Sequence, residues 1–294
     1  MAFFLDLTVN GLLVGLMYAL VAVGFVLIYK ATSVINFAQG DLVMFAAYGA
    51  AVMLGLGWLP LWVVIPVLLL GMVALGFVLE RGILRPLIGQ PVISVIMVTI
   101  GLTFVLQGLA AILWKAGTRS LPLPVRSDPF IVGEVFVSPI NVVAAATAIL
   151  CLVAFGLFFT RSRVGIAMRA VADDQQAAMT VGINVRRVFA LSWAIAGLAA
   201  AAGGIIWGNM LGVDTFLSLV GLKVFPVVIL GGLDSIAGAI VGGLIVGAVE
   251  SVAAGYLDPY VGGGTKDFVP YLLMILVLFV RPHGFFGREI IERV

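Results

Sequence analysis

The chain has 294 residues, of which 63% are hydrophobic and 10% are charged. A soluble globular chain is typically about 45–50% apolar and about 25% charged, so this composition excludes a soluble fold. The net charge of +2 does not indicate a nucleic-acid surface, because the basic residues are spread over short loops. The scarcity of polar stretches favours a single transmembrane domain over residues 1–294.

Apolar runs of about 20 residues, the length that crosses a bilayer, recur along the chain. The predicted spans are 8–29, 41–58, 60–79, 93–114, 139–160, 188–211, 236–254 and 268–281, with a shorter segment at 219–231. We therefore predict an all-α polytopic helical bundle of about eight membrane segments, one or two of them short or broken. The first run lacks a preceding basic region and is longer than a signal-peptide core, so we expect a retained helix.

Lysine and arginine are distributed unevenly between the two sets of predicted loops, and this bias orients a membrane protein. With eight crossings and the N-terminus outside, eleven of the sixteen basic residues face the cytoplasm, four face outside and Lys223 stays within the membrane. The cytoplasmic set is Lys30, Arg81, Arg85, Arg161, Arg163, Arg169, Arg186, Arg187, Arg281, Arg288 and Arg293, and the outer set is Lys115, Arg119, Arg126 and Lys266. We expect an outer loop at 115–138, an inner loop at 161–187 and a cytoplasmic C-terminus.

Glycines four residues apart occur on several predicted helices and are typical of close helix packing in membranes. They form three rows: Gly11 and Gly15; Gly204, Gly208 and Gly212; Gly243 and Gly247. Such rows indicate either packing within this chain or a face for a second subunit, and spacing does not separate the two.

Polar side chains near or inside the predicted spans are candidates for contact with a transported solute, because they are costly in lipid. They are Asn36, Gln39 and Asp41 at the start of the second span, Lys223 and Asp234 beside the short segment, and Glu250. Asp41 also fits the first turn of a helix, where the helix dipole favours a carboxylate. Lys223 lines the pathway or extends outward from near a helix end. The sequence GGLDS at 231–235 predicts a tight turn.

Enzymatic functions find little support in the residue types. The chain has one histidine, His283, and one cysteine, Cys151, which we expect to be a small core residue. This excludes a cysteine-based metal cluster and an internal disulfide, and it argues against a histidine-ligated metal site. No Gly-Lys dipeptide occurs, so the phosphate-binding loop of nucleotide hydrolases is absent. We predict no catalytic residue, no metal and no cofactor in this chain.

The inner loop contains a predicted amphipathic helix at 166–181. Apolar residues recur near helical spacing, Asp173 and Asp174 lie on another face, and Gly182 suits the position that ends a helix. Such a helix rests in the lipid interface or docks in a groove of a partner protein.

QAAMTVG at 176–182 resembles the EAA-xxx-G loop of bacterial ATP-binding-cassette (ABC) importer permeases, with Gln176 in place of the glutamate and no following Ile-x-Leu-Pro pattern. In that family the loop forms a coupling helix held by the ATPase subunit. The resemblance therefore implies an ATPase-coupling role for Asp173, Asp174, Gln176, Ala177, Ala178 and Gly182.

Four further segments resemble the LivH-type permeases of branched-chain amino acid importers, whose relatives also carry urea and other small metabolites. They are VINFAQGDLVMFAAY (34–48), LERGILRPL (79–87), VGLKVFPVVILGGLDSIAGAIVGGLIVG (220–247) and RPHGFFGR (281–288). Gln39 stands where many relatives carry histidine.

This resemblance implies a bacterial inner-membrane permease that works with a second, LivM-like permease, two ATPase subunits that bind the ATP, and a periplasmic substrate-binding protein. The alternative from a different class is a stand-alone secondary transporter or channel. Such a transporter often has ionisable residues in the middle of its helices, and most of the helices predicted here lack them.

Overall fold

The computed structural model describes residues 1–115, 117–125, 128–132 and 135–287. Arg126, Arg288 and Arg293, which contribute to the predicted charge bias, lie outside the described residues. In the described part the α-helices are α1 (Ala2–Thr32), α2 (Gln39–Gly55), α3 (Leu61–Leu79), α4 (Val92–Trp114), α5 (Pro139–Arg161), α6 (Arg163–Asp173), α7 (Gln175–Thr180), α8 (Val185–Leu211), α9 (Leu219–Gly231), α10 (Ile236–Val261) and α11 (Thr265–Val280). A π-turn (Glu80–Leu84) and a 3-10 turn (Arg85–Leu87) extend α3, and a 3-10 turn (Thr215–Ser218) precedes α9.

The predicted all-α polytopic bundle is confirmed. Six helices are long and apolar enough to cross a membrane: α1, α3 with its extension, α4, α5, α8 and α10. The helices α2, α9 and α11 coincide with the remaining predicted segments but have 17, 13 and 16 residues. An even number of crossings places both termini on the same side of the membrane. The predicted eight crossings are therefore inconsistent with the prediction of an outer N-terminus and a cytoplasmic C-terminus. Nine of the described helices coincide with predicted segments, and an odd number of crossings would place the termini on opposite sides of the membrane.

A small antiparallel hairpin lies in the predicted outer loop and was not predicted. Strands β1 (Phe130–Val132) and β2 (Val135–Val137) pair with Phe130 opposite Val137. The side chain of Asp6 accepts a hydrogen bond of 2.8 Å from the backbone nitrogen of Phe136, and Asn10 Nδ2 donates one of 3.0 Å to the Phe136 carbonyl. The start of α1 therefore satisfies the backbone of β2, a pairing that needs the tertiary fold.

The described residues divide into two compact units. The first unit is drawn from Met1–Val26, Val125–Leu150 and Lys223–Val294, and the second from Leu27–Pro124 and Cys151–Leu222. In the first unit α1 packs closely on α10: an added Cβ on Gly11 would lie 2.6 Å from the Gly247 carbonyl oxygen, and one on Gly15 would lie 2.5 Å from that of Gly243. These two glycine rows face each other within the chain.

In the second unit the buried helix α8 packs against α2 and α3. An added Cβ on Gly204 would lie 2.6 Å from the Val43 carbonyl oxygen, and one on Gly208 would lie 3.0 Å from Ala47 Cβ. Gly212 lies beyond the end of α8 with a φ of +82°. The predicted third member of this row therefore ends the helix, and an added Cβ there would lie at the ordinary contact distance of 3.7 Å from Thr118 Cγ2.

Candidate substrate pathway and coupling segment

The chain is interrupted between α1 and α2, next to the predicted pathway residues Asn36 and Gln39. Ser33 has a φ of +56°, and Asn36 and Gln39 are fully buried in the described structure. Asn36 Oδ1 accepts a hydrogen bond of 3.1 Å from the Ala38 nitrogen, and Gln39 Nε2 donates one of 3.3 Å to the Ala196 carbonyl on α8. These two predicted pathway residues hold the start of α2 in place. Their polar groups are largely occupied by the chain itself.

Asp41, in the first turn of α2, faces a polar row on α4. Gln107 Nε2 donates a hydrogen bond of 2.9 Å to Asp41 Oδ1 and also lies 3.4 Å from the Ser218 hydroxyl. Thr99 and Thr103 precede Gln107 at intervals of four residues, so all three lie on one face of α4. Sequence reasoning missed this row, although its spacing within an apolar helix was visible.

Two cavities adjoin this polar row. The Asp41 cavity has a volume of about 150 Å³. It is lined by Phe37, Asp41, Ile100, Thr103, Phe104, Gln107, Ser218, Leu219 and Leu222. The Asn36 cavity has a volume of about 120 Å³. It is lined by residues that include Thr32, Asn36, Glu80, Gln90, Val95, Thr99, Gln175, Phe189 and Trp193.

Both cavities are lined by the link between α1 and α2 and by α4. Along the link into α2 the lining changes from one cavity to the other between Asn36 and Phe37, and along α4 it changes between Thr99 and Ile100. The Phe37 nitrogen donates a hydrogen bond of 3.4 Å to Thr99 Oγ1 at this boundary. The linings of the two cavities therefore adjoin at the contact between Phe37 and Thr99.

The Asn36 cavity carries buried polar groups of its own. Glu80 is 1% exposed and pairs with Arg85 through two contacts, of 2.9 and 3.2 Å. Trp193 is fully buried, and its Nε1 has no hydrogen-bond partner among the described residues. A solute with an acceptor group could satisfy this donor.

The other three predicted pathway residues belong to the first unit. Lys223 forms an ion pair of 2.7 Å with Asp267 on α11. Glu250 is 6% exposed and accepts a hydrogen bond of 3.3 Å from the Tyr18 hydroxyl, while its Oε2 has no hydrogen-bond partner among the described residues. Asp234 is half-buried in the turn between α9 and α10. Lys223 therefore has a specific partner that is itself exposed, and whether Lys223 lines the pathway or extends outward stays a prediction.

The predicted inner helix at 166–181 is two helices, and this prediction of one continuous helix is wrong. The break is at Asp174, which has φ −157° and ψ 112°. Its carboxylate accepts hydrogen bonds from the nitrogens of Gln176 and Ala177, at 2.8 and 2.9 Å. Aspartate is a strong N-cap residue, and here the cap begins α7 instead of continuing α6.

Gly182 follows the end of α7, as predicted for a residue that ends a helix. Its φ is +84°, its nitrogen donates to the Met179 carbonyl, and the Ile183 nitrogen donates to the Ala178 carbonyl. This is the Schellman arrangement, in which a glycine at positive φ closes a helix. Gly182 therefore sets the direction in which the chain leaves α7 toward α8.

The predicted coupling residues on α6 and α7 differ in exposure. Ala178 is 3% exposed and packs within the chain, whereas Asp173, Gln176 and Ala177 are exposed. Exposed apolar residues accompany them, with Ile166 at 52%, Met179 at 56% and Val181 at 75%. A partner would therefore meet the Ala177 side of α7 and not Ala178.

The segment also reaches the Asn36 cavity. Gln175, the first residue of α7, lines this cavity and donates a hydrogen bond of 3.3 Å to the Ala31 carbonyl near the end of α1. A displacement of α7 would thus act directly on the cavity wall.

In the described residues no group of three or more His, Cys, Asp or Glu side chains could hold a metal ion.

The family model described as "Branched-chain amino acid transport system / permease component" matches residues 7–278. The chain belongs to this permease family. Its members are transport proteins and not enzymes, and together with the apolar helices this makes the chain a multi-pass membrane permease.

Curated relatives extend over nearly the whole length. The high-affinity branched-chain amino acid transport system permease protein LivH of Salmonella typhimurium is 34% identical over 310 residues, covering 99% of this chain and 98% of the relative. The corresponding protein BraD of Pseudomonas aeruginosa is 33% identical over 306 residues, with the same coverage. Among solved structures, PsaBC from Streptococcus pneumoniae in complex with Fab shares the fold. It has 14% identity, a TM-score of 0.50, and coverage of 93% of this chain and 91% of that one.

Proposed function

We propose that this chain is the permease subunit of an ABC importer that carries branched-chain amino acids, or a similar small polar metabolite, across the bacterial inner membrane. The observation that carries the proposal is the similarity to LivH and BraD over 99% of the chain. The whole of 1–294 acts as one permease domain, with its N-terminus outside and its C-terminus in the cytoplasm. ATP is bound by partner subunits.

The solute path runs along the Thr99, Thr103 and Gln107 face of α4. The Asp41 cavity and the Asn36 cavity are its two compartments, and they meet at Phe37. Their apolar walls with a few polar groups suit a solute that has a hydrocarbon part and a polar part. The predicted pathway residues Asn36, Gln39 and Asp41 lie on this path. The remaining predicted pathway residues lie in the first unit. Lys223 pairs with Asp267, Glu250 accepts a hydrogen bond from Tyr18, and Asp234 lies in the turn between α9 and α10.

Coupling to ATP hydrolysis uses α6 and α7. An ATPase subunit docks on the surface that includes Asp173, Gln176, Ala177 and Met179, while Asp174 and Gly182 fix where α7 begins and ends. Movement of α7 reaches the Asn36 cavity through Gln175. A second, LivM-like permease, two ATPases and a periplasmic binding protein complete the importer.

Proteoliposomes that contain the chain with its copurified partner subunits test the proposal. With binding protein outside and ATP inside, we expect uptake of labelled L-leucine that stops when ATP is omitted. Uptake of urea but not of leucine would refute the proposed amino-acid substrate and would still support an ABC importer. Leucine uptake that is independent of ATP, with no ATPase copurifying, would instead indicate a stand-alone transporter.

A further inference from the structure

The Asp41 cavity combines a buried carboxylate with mostly apolar walls. Asp41 is 2% exposed, and the hydrogen bond to its Oδ1 at 2.9 Å comes from the neutral amide of Gln107. The cavity beside it has a volume of about 150 Å³. This volume suits a short hydrocarbon chain with a polar head.

The charge of Asp41 is not balanced by a cationic side chain. No Lys, Arg or His of the described residues forms an ion pair with it, in contrast to Glu80 with Arg85 and Asp267 with Lys223. Its position in the first turn of α2 offers partial compensation through the helix dipole. A carboxylate within a membrane segment normally pairs with a positive group, because its desolvation is costly. A cation in the cavity would supply that partner.

The other lining residues restrict what kind of cation fits. Phe37, Phe104 and Leu222 offer apolar contact, and an aromatic face also attracts an ammonium group. The hydroxyls of Thr103 and Ser218 donate to the Thr99 and Thr215 carbonyls, and their oxygens can still accept a hydrogen bond from a donor on the same solute. A hydrated metal ion would make no favourable contact with the apolar side chains. An organic ammonium would contact both the apolar side chains and the Asp41 carboxylate.

We propose that the Asp41 cavity is a solute-binding site that takes an organic ammonium group next to a short apolar chain, with Asp41 as the partner of the ammonium. The inference rests on the proposed transport function and extends it, because it assigns the residue that selects the charge of the solute. The competing explanation is that Asp41 serves only to stabilise the start of α2. In that case its removal changes stability without changing which ligands bind.

The full chain in lipid nanodiscs, without any binding protein, tests this site through the thermal unfolding midpoint. Two matched pairs of probes differ in the ammonium group: 3-methylbutylamine with 3-methylbutan-1-ol, and L-leucine with 4-methylpentanoate. Ligands that bind only the folded state raise the midpoint, and at equal concentration the tighter ligand raises it more. We expect the amine and L-leucine to raise it, and the alcohol and 4-methylpentanoate to have little effect.

Two isosteric variants complete the experiment. Asp41→Asn should lower the apparent affinity for the amine by about tenfold or more, because a charge-assisted contact is lost. Asp6→Asn, which removes a carboxylate outside the cavity, should bind like the wild type. Equal amine affinity in Asp41→Asn and the wild type would mean partitioning into lipid and would overturn the proposal.

Equal stabilisation of the wild type by amine and alcohol would also overturn it, and this comparison needs no variant. If Asp41→Asn does not fold, Asp41→Glu keeps the charge and should keep the preference for the amine. The outcome is separate from the uptake experiment. A chain that imports leucine without ammonium preference at Asp41 refutes only the site, and a chain that prefers the amine without importing leucine refutes only the proposed substrate.

Discussion

At the scale of single residues, neighbouring alanines in the coupling segment have opposite environments. Ala178 is buried against the chain, and Ala177, one position earlier, is exposed. The QAAMTVG resemblance treats both as small residues at a docking surface. The structure separates their roles, because only Ala177 is available to a partner.

We expect Ala178→Asp to destabilise the chain and Ala177→Asp to leave it folded. The first places an unpaired carboxylate in a buried position, at a cost of about 3 kcal/mol or more. The second adds a charge to the proposed docking surface and should weaken retention of the ATPase. The yield of folded protein after detergent extraction measures the first effect, and the amount of ATPase that copurifies measures the second. Normal ATPase retention with Ala177→Asp would place the docking surface elsewhere.

At the scale of elements, close glycine contacts determine how α8 packs in the second unit. Gly204 faces the backbone of α2, whereas an added Cβ on Gly71 of α3 would meet no atom within 4 Å. These two glycines allow one methyl group to be tested in a packed and an open position.

Gly204→Ala should destabilise the chain by about 1–3 kcal/mol, because the methyl group overpacks a contact that cannot widen without moving α2. Gly71→Ala should be neutral or slightly stabilising, since alanine favours a helix over glycine. Thermal unfolding of the two purified variants provides the comparison. Equal midpoints would mean that the packing of α8 on α2 tolerates a side chain at this position.

The end of α7 depends on backbone conformation and not on space. Gly182 has a φ of +84°, and an added Cβ there would meet no atom within 4 Å. Gly182→Val should therefore cost about 1–2 kcal/mol through backbone strain alone, and it should misplace α7 and lower transport. Gly182→Asn tolerates positive φ better and should retain most of the transport. Uptake assays normalised to membrane yield check this, and an equal loss in both variants would point to the side chain instead of the backbone.

Membrane helices were predictable because each leaves a long apolar run, and α1, α4 and α8 coincide with such runs. The β1–β2 hairpin was not, since three-residue strands leave too few positions to show a period and their partner Asp6 is distant in sequence. The break at Asp174 carried a local signal, but an aspartate within a polar stretch fits a helix face as well as an N-cap.

The candidate site followed the same division between local and tertiary information. Asn36, Gln39 and Asp41 were recognisable as polar residues entering a membrane span. Whether each faces a cavity or supports the backbone depends on α4 and α8, which contribute Gln107 and Ala196. The spacing of Thr99, Thr103 and Gln107 was visible, but its importance lies in what it faces.

At the scale of the whole molecule, the proposed orientation can be tested at positions that the structure shows to be exposed. Gln175 is a poor labelling site, because it is half-buried and bonded to the Ala31 carbonyl. Gln176 is exposed on α7 in the inner loop, and Ser120 is exposed in the outer loop. Cys151→Ala first removes the native cysteine.

In that background, Gln176→Cys should be protected from a membrane-impermeant maleimide added to intact cells, and Ser120→Cys should react. The reason is the excess of Lys and Arg in the loops that share a side with α6 and α7, because positively charged loops stay in the cytoplasm. Permeabilised cells provide the control, since both cysteines should then react to the same extent. Labelling of Gln176→Cys in intact cells, with Ser120→Cys protected, would reverse the orientation. The surface of α7 would then be separated from any cytoplasmic ATPase, and the coupling mechanism would have to be abandoned with it.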